Sequence, residues 1–183
     1  MAGDDPDLVT LGSRIVYENR WMRVREDRIR RRDGSEGLYG YVEKPDFVVI
    51  APIQDGVVHL VQQYRYPVRQ RSWEFPQGSW ETSPDTPSEV LARAELAEET
   101  GLIAETITDA GQLFPLYGTA TQGFRIFHAT GLRPGPRSPE PEEQDLVTAS
   151  FPLATVEAMI LDGTIRDAAT VAALSMLRLR RLI

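Results

Sequence analysis

Residues 47–53 (FVVIAPI) form a continuous apolar run with the length of one β-strand. A strand that lacks alternating polar residues is buried on both faces, so the sheet that contains it needs a layer of structure on each side. Asp55 and Gly56 separate this run from residues 57–63. An Asp-Gly pair between two apolar segments favours a two-residue hairpin in which both turn residues have positive φ. The run and its hairpin therefore predict the interior of a covered sheet.

Three segments are predicted to be helices that cover this sheet: residues 87–100, 154–161 and 167–182. In the first, Thr86 is the expected N-cap and Glu89 completes a Thr-x-x-Glu capping box, while Gly101 supplies a left-handed stop. Further strands are expected at residues 73–75, 111–116, 124–130 and 147–151. This order of strands and helices predicts an α/β fold, namely an α/β/α sandwich with a mixed sheet.

The N-terminal part of the chain has a different pattern. Residues 1–12 are predicted to be disordered. Short alternating segments over residues 13–45 predict a small antiparallel β meander, which leaves residues 46–183 for the main domain. The meander is rich in arginine. These arginines either protect solvated strand edges or reach a phosphate-bearing substrate, and the sequence leaves both interpretations open.

Composition excludes several classes of function. The chain has no cysteine, which excludes disulfides, zinc–thiolate sites and a cysteine nucleophile. Its net charge of −7 argues against a nucleic-acid partner. It has neither a signal-peptide core nor an apolar run of membrane-spanning length, so we expect no membrane partner and a cytoplasmic location. A chain with this much negative charge can bind an anionic substrate if its acidic side chains hold a divalent cation, because the cation reverses the local charge.

Three carboxylates provide such a group. Glu95, Glu98 and Glu99 fall within an arc of about 100° on the predicted helix, so they share one face. Like charges at this spacing destabilise a helix by a few tenths of a kcal/mol per pair, which a divalent cation with oxygen ligands would offset. The alternative is a solvated acidic face. The residues opposite the carboxylates are predicted to pack on the sheet: Val90, Ala94 and Ala97.

The surrounding sequence resembles the Nudix hydrolase family. Its signature reads Gly, five residues, Glu, seven residues, Arg-Glu-aliphatic-x-Glu-Glu-x-Gly-aliphatic. Residues 95–102 (ELAEETGL) match the second half of this signature. Upstream of them, Gly78 at the end of residues 73–78 (WEFPQG) stands for the first glycine of the signature. Segments 17–23, 62–67 and 160–167 are similar to the ADP-ribose pyrophosphatase branch of the family. For that branch the resemblance implies the sandwich fold and a homodimer built through the N-terminal strands.

The resemblance also implies an activity and a set of site residues. The activity is hydrolysis of the pyrophosphate bond in a nucleoside diphosphate linked to another moiety, such as ADP-ribose or a nucleotide sugar. This hydrolysis would depend on Mg²⁺, with Mn²⁺ as the alternative ion. Glu95, Glu98 and Glu99 would be catalytic and would bind the metal together with the backbone carbonyl of Gln77. Candidate substrate contacts, each with a structural alternative, are Arg65 (phosphate or ribose), Glu74 (a hydroxyl, or a brace for the loop), Trp21 (base stacking, or packing) and Gln122.

Three features depart from the family pattern. The interval from Gly78 to Glu95 is two residues longer than in the signature, and Thr86 stands where the first signature glutamate would fall. Ala94 replaces the signature arginine. Gln122 stands about where this branch often has an acid, and a glutamine cannot accept a proton as a general base.

These departures leave two questions open. The general base is either Glu98 or one of Glu142, Glu143 and Asp145 in a later acidic loop. The alternative function is a catalytically weak Nudix-fold module that binds or senses a nucleotide metabolite. The sequence determines neither the nucleobase nor the group beyond the second phosphate.

Overall fold

The fold is taken from a computed structural model that describes residues 7–79, 86–136 and 145–183. Within these ranges the chain forms two sheets, of three and seven strands, and three α-helices. None of the described helices is both long and apolar enough to cross a membrane.

The small sheet is the predicted antiparallel meander, with strands in the order β1-β2-β3: β1 (Leu8–Glu18), β2 (Arg23–Arg31) and β3 (Glu36–Glu43). The prediction of disorder over residues 1–12 is wrong from Leu8 onward, because Leu8 already pairs with Arg31 and the pairing continues along β2. Ladder hydrogen bonds hold these residues although their side chains are largely exposed. In the described part of this sheet only Ile29 is buried.

The large sheet is mixed and has the order β10-β5-β4-β9-β8, with β6 beside β5 and β7 beside β4. Its strands are β4 (Phe47–Gln54), β5 (Val57–Arg65), β6 (Gln70–Glu74), β7 (Gln77–Gly78), β8 (Leu102–Leu113), β9 (Phe124–Pro134) and β10 (Val147–Pro152). Strand β4 lies in the middle, parallel to β9 and antiparallel to β5. Asp55 and Gly56 have φ values of 52° and 73°, which confirms the predicted hairpin between β4 and β5.

Helices cover both faces of this sheet: α1 (Ser88–Thr100) on one, and α2 (Leu153–Leu161) with α3 (Ala168–Leu179) on the other. Alternate residues of β4 point to opposite sides. Val48 and Ile50 pack with α1, whereas Val49 and Ala51 belong to the cluster formed with α2 and α3. The predicted α/β/α sandwich is therefore confirmed.

The ends of α1 confirm one predicted cap and contradict the other. Gly101 ends the helix at φ 70°, and its N–H donates to the carbonyl of Ala97. The predicted N-cap is wrong, because Pro87 occupies that position in an extended conformation and no side chain caps the helix. Thr86 therefore lies one residue too early in the chain to act as the N-cap.

Candidate active site

The carboxylates of α1 lie inside the fold rather than on its surface. Glu95 and Glu99, one turn apart, are 7% and 0% exposed, and Glu98 is half-buried beside them. Burying an ionised carboxylate is costly unless it is paired, hydrogen-bonded or bound to a cation. A solvated acidic helix face, the structural alternative for these residues, is therefore wrong.

The apolar residues that attach α1 to the sheet differ from the predicted ones. Val90, predicted to pack on the sheet, is 50% exposed, and Ala94 and Ala97 are only half-buried. The side chains that pack against β4 and β9 lie on the same side as Glu95 and Glu99: Leu91, Ala92 and Leu96. The buried side of α1 therefore combines an apolar stripe with two carboxylates.

A short strand holds these carboxylates in place. In β7, Gly78 pairs with Val48 and Gln77 pairs with Val49, so both residues lie beside the centre of the sheet. The backbone N–H of Gln77 donates to Oε2 of Glu99 over 3.3 Å. A Cβ atom on Gly78 would overlap the carboxylate of Glu95. Glycine is thus required at this position because the carboxylate takes the space of a side chain.

The donor set fits a hard divalent cation that keeps part of its water. Among residues 7–79, 86–136 and 145–183, no group of three Asp, Glu or His side chains is arranged to hold a metal ion. Mg²⁺, however, is usually bound by one or two carboxylates together with waters and substrate phosphates. The buried pair Glu95 and Glu99 supplies that number of carboxylates. Glu142 and Glu143 lie outside the described residues.

A cavity of about 680 Å³ opens beside Gln77 and Gly78. It brings together predicted site residues from distant parts of the chain: Arg65, Glu74, Gln77 and Gln122. Its other polar or aromatic lining residues include Lys44, Phe47, Arg166 and Asp167. The volume is in the range typical of small-molecule sites.

Arg65 and Glu74 form an ion pair in the wall of this cavity. Nε of Arg65 donates to Oε2 of Glu74 over 3.1 Å, and Nη2 donates to the other carboxylate oxygen. The amide of Gln63 also donates to Glu74. Burial raises the pKa of Glu74, and Arg65 opposes that rise. Burial also acts against the charge of Arg65, but the attraction of Glu74 outweighs it and raises the pKa of Arg65. This geometry favours the bracing role of Glu74 over contact with substrate.

Two further candidates are engaged in structural contacts. The side-chain amide of Gln122 donates to the carbonyl of Pro45 over 2.7 Å and so ties the loop after β8 to the segment before β4. Asp145 accepts a 2.6 Å hydrogen bond from Nη1 of Arg71, while Nη2 of Arg71 binds the Asp145 carbonyl. Its pairing with Arg71 makes Asp145 a weaker candidate for the general base.

Trp21 lies in a second, smaller cavity of about 390 Å³ at the turn between β1 and β2. The turn is fixed by Asn19, whose side-chain oxygen accepts hydrogen bonds from the N–H groups of Trp21 and Met22. The indole is 48% exposed, and the guanidinium of Arg20 lies 4.3 Å from its ring centroid. Lys44 lines both cavities, so they adjoin.

Arg93 is the arginine next to Ala94 in the chain, and its contacts show that it points away from Glu98. Arg93 donates to Glu89 one turn earlier and to the carbonyl of Ala104 on β8, so it points away from Glu98. It therefore does not replace the arginine that the signature has at Ala94.

Sequence reasoning missed Lys44 and Arg166 as lining residues of the large cavity. Lys44 precedes β4, and Arg166 precedes α3. The sequence signals were weak: an isolated lysine before an apolar strand, and an arginine beside the residue that caps a helix.

Comparison with known families identifies the family and the fold. Residues 9–42 match the nucleoside diphosphate sugar hydrolase N-terminal domain, and residues 44–174 match the NUDIX domain. The second match spans more than half of the chain, and the buried carboxylates of α1 lie within it. The chain therefore belongs to the Nudix hydrolase family. It is an enzyme that hydrolyses a nucleoside diphosphate linked to another moiety, and hydrolases of this family generally use divalent metal ions.

Individual relatives agree with this assignment. An ADP-ribose pyrophosphatase from Mycobacterium tuberculosis is 30% identical over 168 residues, which cover 91% of this chain and 81% of the relative. A methanol dehydrogenase activator from Bacillus methanolicus is 27% identical and covers 93% of this chain and 92% of its own length. The crystal structure of an ADP compounds hydrolase has a TM-score of 0.84 at 23% identity, covering 94% of this chain and 92% of that chain, and shows a common fold.

Proposed function

We propose that this enzyme hydrolyses the pyrophosphate bond of ADP-ribose or a related nucleotide sugar with Mg²⁺ as its metal ion. The observation that carries the proposal is the buried pair Glu95 and Glu99, which lies against Gln77 and Gly78 of β7, and these two β7 residues line the large cavity. Two carboxylates at this place can hold a cation next to a substrate that enters the cavity.

Each residue of the site has a proposed role. Glu95 and Glu99 bind the metal, with Glu98 and the backbone carbonyl of Gln77 as further ligands. The bound metal would neutralise phosphate charge and make the attacking water more acidic. Glu98, which is half-buried beside the pair, is our candidate for the residue that accepts the proton of that water. Mn²⁺ has the same preference for oxygen ligands and is expected to substitute.

The substrate class is supported by a relative and by the cavities. The relative at 30% identity is an ADP-ribose pyrophosphatase. The large cavity adjoins the smaller one that contains Trp21, so a ligand with two ends can occupy both. We propose that the nucleobase stacks on Trp21. Trp73 packs edge-on against Phe151, with ring centroids 5.1 Å apart, so its ring is engaged within the fold.

We further propose that the enzyme is a homodimer assembled through the N-terminal meander. This sheet buries almost no apolar side chain within the chain, although it exposes several large ones: Ile15, Val16, Tyr17 and Leu38. A three-stranded sheet needs a hydrophobic face packed against something to be stable. Most of its arginines are paired with neighbouring acids, as in Arg14–Glu26 and Arg25–Glu43, which favours a structural role for them. Light scattering that shows a monomer at micromolar concentration would contradict this proposal.

The test of function combines turnover with metal binding. Purified enzyme is assayed on ADP-ribose, ADP-glucose and a dinucleoside polyphosphate with Mg²⁺ and with Mn²⁺, and its melting temperature is measured with and without each ion. We expect AMP release from ADP-ribose and a higher melting temperature with metal, because a ligand that binds only the native state stabilises it.

Glu99→Gln should abolish most of both effects, since it removes one charge from the buried pair. The control is Glu89→Gln on the same helix, where the carboxylate is exposed and pairs with Arg93. Binding of ADP-ribose without hydrolysis in the wild type would overturn the proposal in favour of a sensor.

A further inference from the structure

The large cavity carries more positive charge than its acids neutralise. Its described lining includes three cations, Lys44, Arg65 and Arg166, and two acids, Glu74 and Asp167. Glu74 is engaged by Arg65, so this arginine has little charge left to offer a ligand. The chain as a whole has a net charge of −7. The described lining of the cavity therefore has the opposite sign of charge to the chain as a whole. We call Arg166 and Lys44, the two lining cations other than Arg65, the cationic wall.

The guanidinium of Arg166 is fixed at one end, and its charge can still bind a ligand in the cavity. Its Nε donates to the carbonyl of Gly163 over 2.7 Å, which fixes the base of the guanidinium and leaves the two terminal nitrogens for other partners. The neighbouring Asp167 does not form an ion pair with it; its carboxylate instead accepts two hydrogen bonds from the backbone N–H and the hydroxyl of Thr170 at the start of α3. Within the described part of the chain Arg166 makes no ion pair, and the side chain is exposed at the cavity.

Lys44 is the second cation of this wall. It lies between β3 and β4, is half-buried, and makes no ion pair with any described residue. It lines the large cavity and also the smaller one that contains Trp21. Its charge therefore lies where the two cavities meet.

The cavity is lined both by Gln77 and Gly78 of β7, behind which the carboxylates of α1 lie, and by residues just before α3. Glu95 and Glu99 belong to α1, which packs on one face of the sheet, whereas Arg166 precedes α3, which packs on the other. A metal ion held by these carboxylates would supply positive charge to a substrate phosphate on the side of α1. The remaining oxygens of a diphosphate would face the cationic wall. Arginine is suited to this task because its planar fork can bind two phosphate oxygens at once.

We propose that Arg166 and Lys44 are the residues that bind the diphosphate of the substrate from the side opposite α1, and that Arg65 is instead a brace for the wall. This inference rests on the proposed function, since it takes the substrate to be a nucleoside diphosphate compound. It assigns a binding role to two residues that lie outside the carboxylate motif and 122 positions apart in the chain.

The test uses Arg166→Gln and Lys44→Gln in the full-length chain. The control is Arg133→Gln, which removes an exposed arginine that lines neither cavity and makes no ion pair with a described residue. Two quantities are measured: KM and kcat for ADP-ribose with Mg²⁺, and the dissociation constant of ADP without metal by calorimetry. The second does not depend on turnover.

Loss of a hydrogen-bonded charge should raise KM and the ADP dissociation constant about tenfold in each variant, with kcat within about twofold. Arg166→Lys should retain part of the affinity, and Arg133→Gln should behave as wild type. All variants should melt near the wild-type temperature, since neither side chain makes a described ion pair. For a variant that melts lower, comparison of Arg166→Lys with Arg166→Gln decides whether charge or folding was lost.

Unchanged KM and unchanged ADP affinity in both glutamine variants would overturn the inference while leaving the proposed hydrolase activity intact. An equal loss in Arg133→Gln would also overturn it, because the effect would then be one of overall charge. If the wild type binds ADP but hydrolyses none of the substrates, the proposed function fails, and the ADP affinities still decide the inference.

Discussion

Replacement of Gly78 by alanine tests the central geometry of the site. A Cβ atom at this position would overlap both carboxylate oxygens of Glu95 and the carbon that joins them. Gly78 lies in β7 with an ordinary φ, so alanine meets no backbone strain there. The effect of the substitution therefore comes from displacement of the carboxylate.

The expected change in the free energy of unfolding combines two opposing contributions. Forcing an extra methyl into a packed site costs about 1–3 kcal/mol, and the lower chain entropy of alanine in the unfolded state offsets about 0.4–1 kcal/mol of it. A net loss of about 1–2 kcal/mol corresponds to a fall of roughly 2–8 °C in melting temperature for a protein of this size. Displacement of a metal-binding carboxylate by about 1 Å can lower kcat/KM by roughly 100-fold.

Thermal unfolding and steady-state hydrolysis of ADP-ribose measure the two effects. Gly118→Ala is the matched control, because a Cβ atom there has no neighbour within 4 Å and the backbone has no positive φ. Adding Glu95→Asp to Gly78→Ala should restore stability by shortening the displaced side chain, without restoring full activity. If Gly78→Ala keeps wild-type stability and activity, the close packing of Glu95 on β7 is refuted.

Three further predictions follow from single side chains. Ala94→Arg adds a cation one turn before Glu98, so it should change the free energy of unfolding by no more than about 0.5 kcal/mol and raise kcat a few-fold. An unchanged kcat at wild-type stability would exclude Glu98 as the general base. Glu74→Gln should lower the free energy of unfolding in urea by about 1–3 kcal/mol, because it leaves Arg65 without its partner, and an unchanged midpoint would refute the brace. Burial lowers the pKa of His59, so the unfolded state takes up the proton first as the pH is lowered; the free energy of unfolding in urea should therefore decrease as the pH falls below about 6.5, the ordinary pKa of histidine, and should decrease less in His59→Gln.

The sequence by itself determined the elements whose signals are local. The apolar run that became β4 has no polar face, and its length together with the Asp-Gly pair after it favours a strand covered on both sides. Asp55 and Gly56 adopted the positive φ values that their hairpin requires, and Gly101 ended α1 in the left-handed conformation. Each of these outcomes depends on the backbone sterics of a few neighbouring residues, so it can be predicted from the local sequence.

The family motif also placed Glu95 and Glu99 correctly on one helix face, because the spacing of four residues fixes that relation. It did not show that this face is buried. The carboxylates and the apolar residues of α1 lie on one side, so polarity along the helix misjudged Val90 as the residue that packs on the sheet. The apolar residues Leu91, Ala92 and Leu96 pack this side against the sheet, and Gly78 of β7 leaves room for the carboxylate of Glu95 there.

Only the tertiary structure brought Lys44 and Arg166 to one cavity, and it separated Trp21 from that cavity by placing it in the adjoining one. Residues that far apart in the chain meet because the segment before β4 and the N-terminus of α3 reach the same end of the sheet. Long-range contacts of this kind follow from how the layers pack, and packing depends on all the elements together. Local sequence patterns therefore predicted individual residues of the site, and the packing of the sandwich determined which of them line the same cavity.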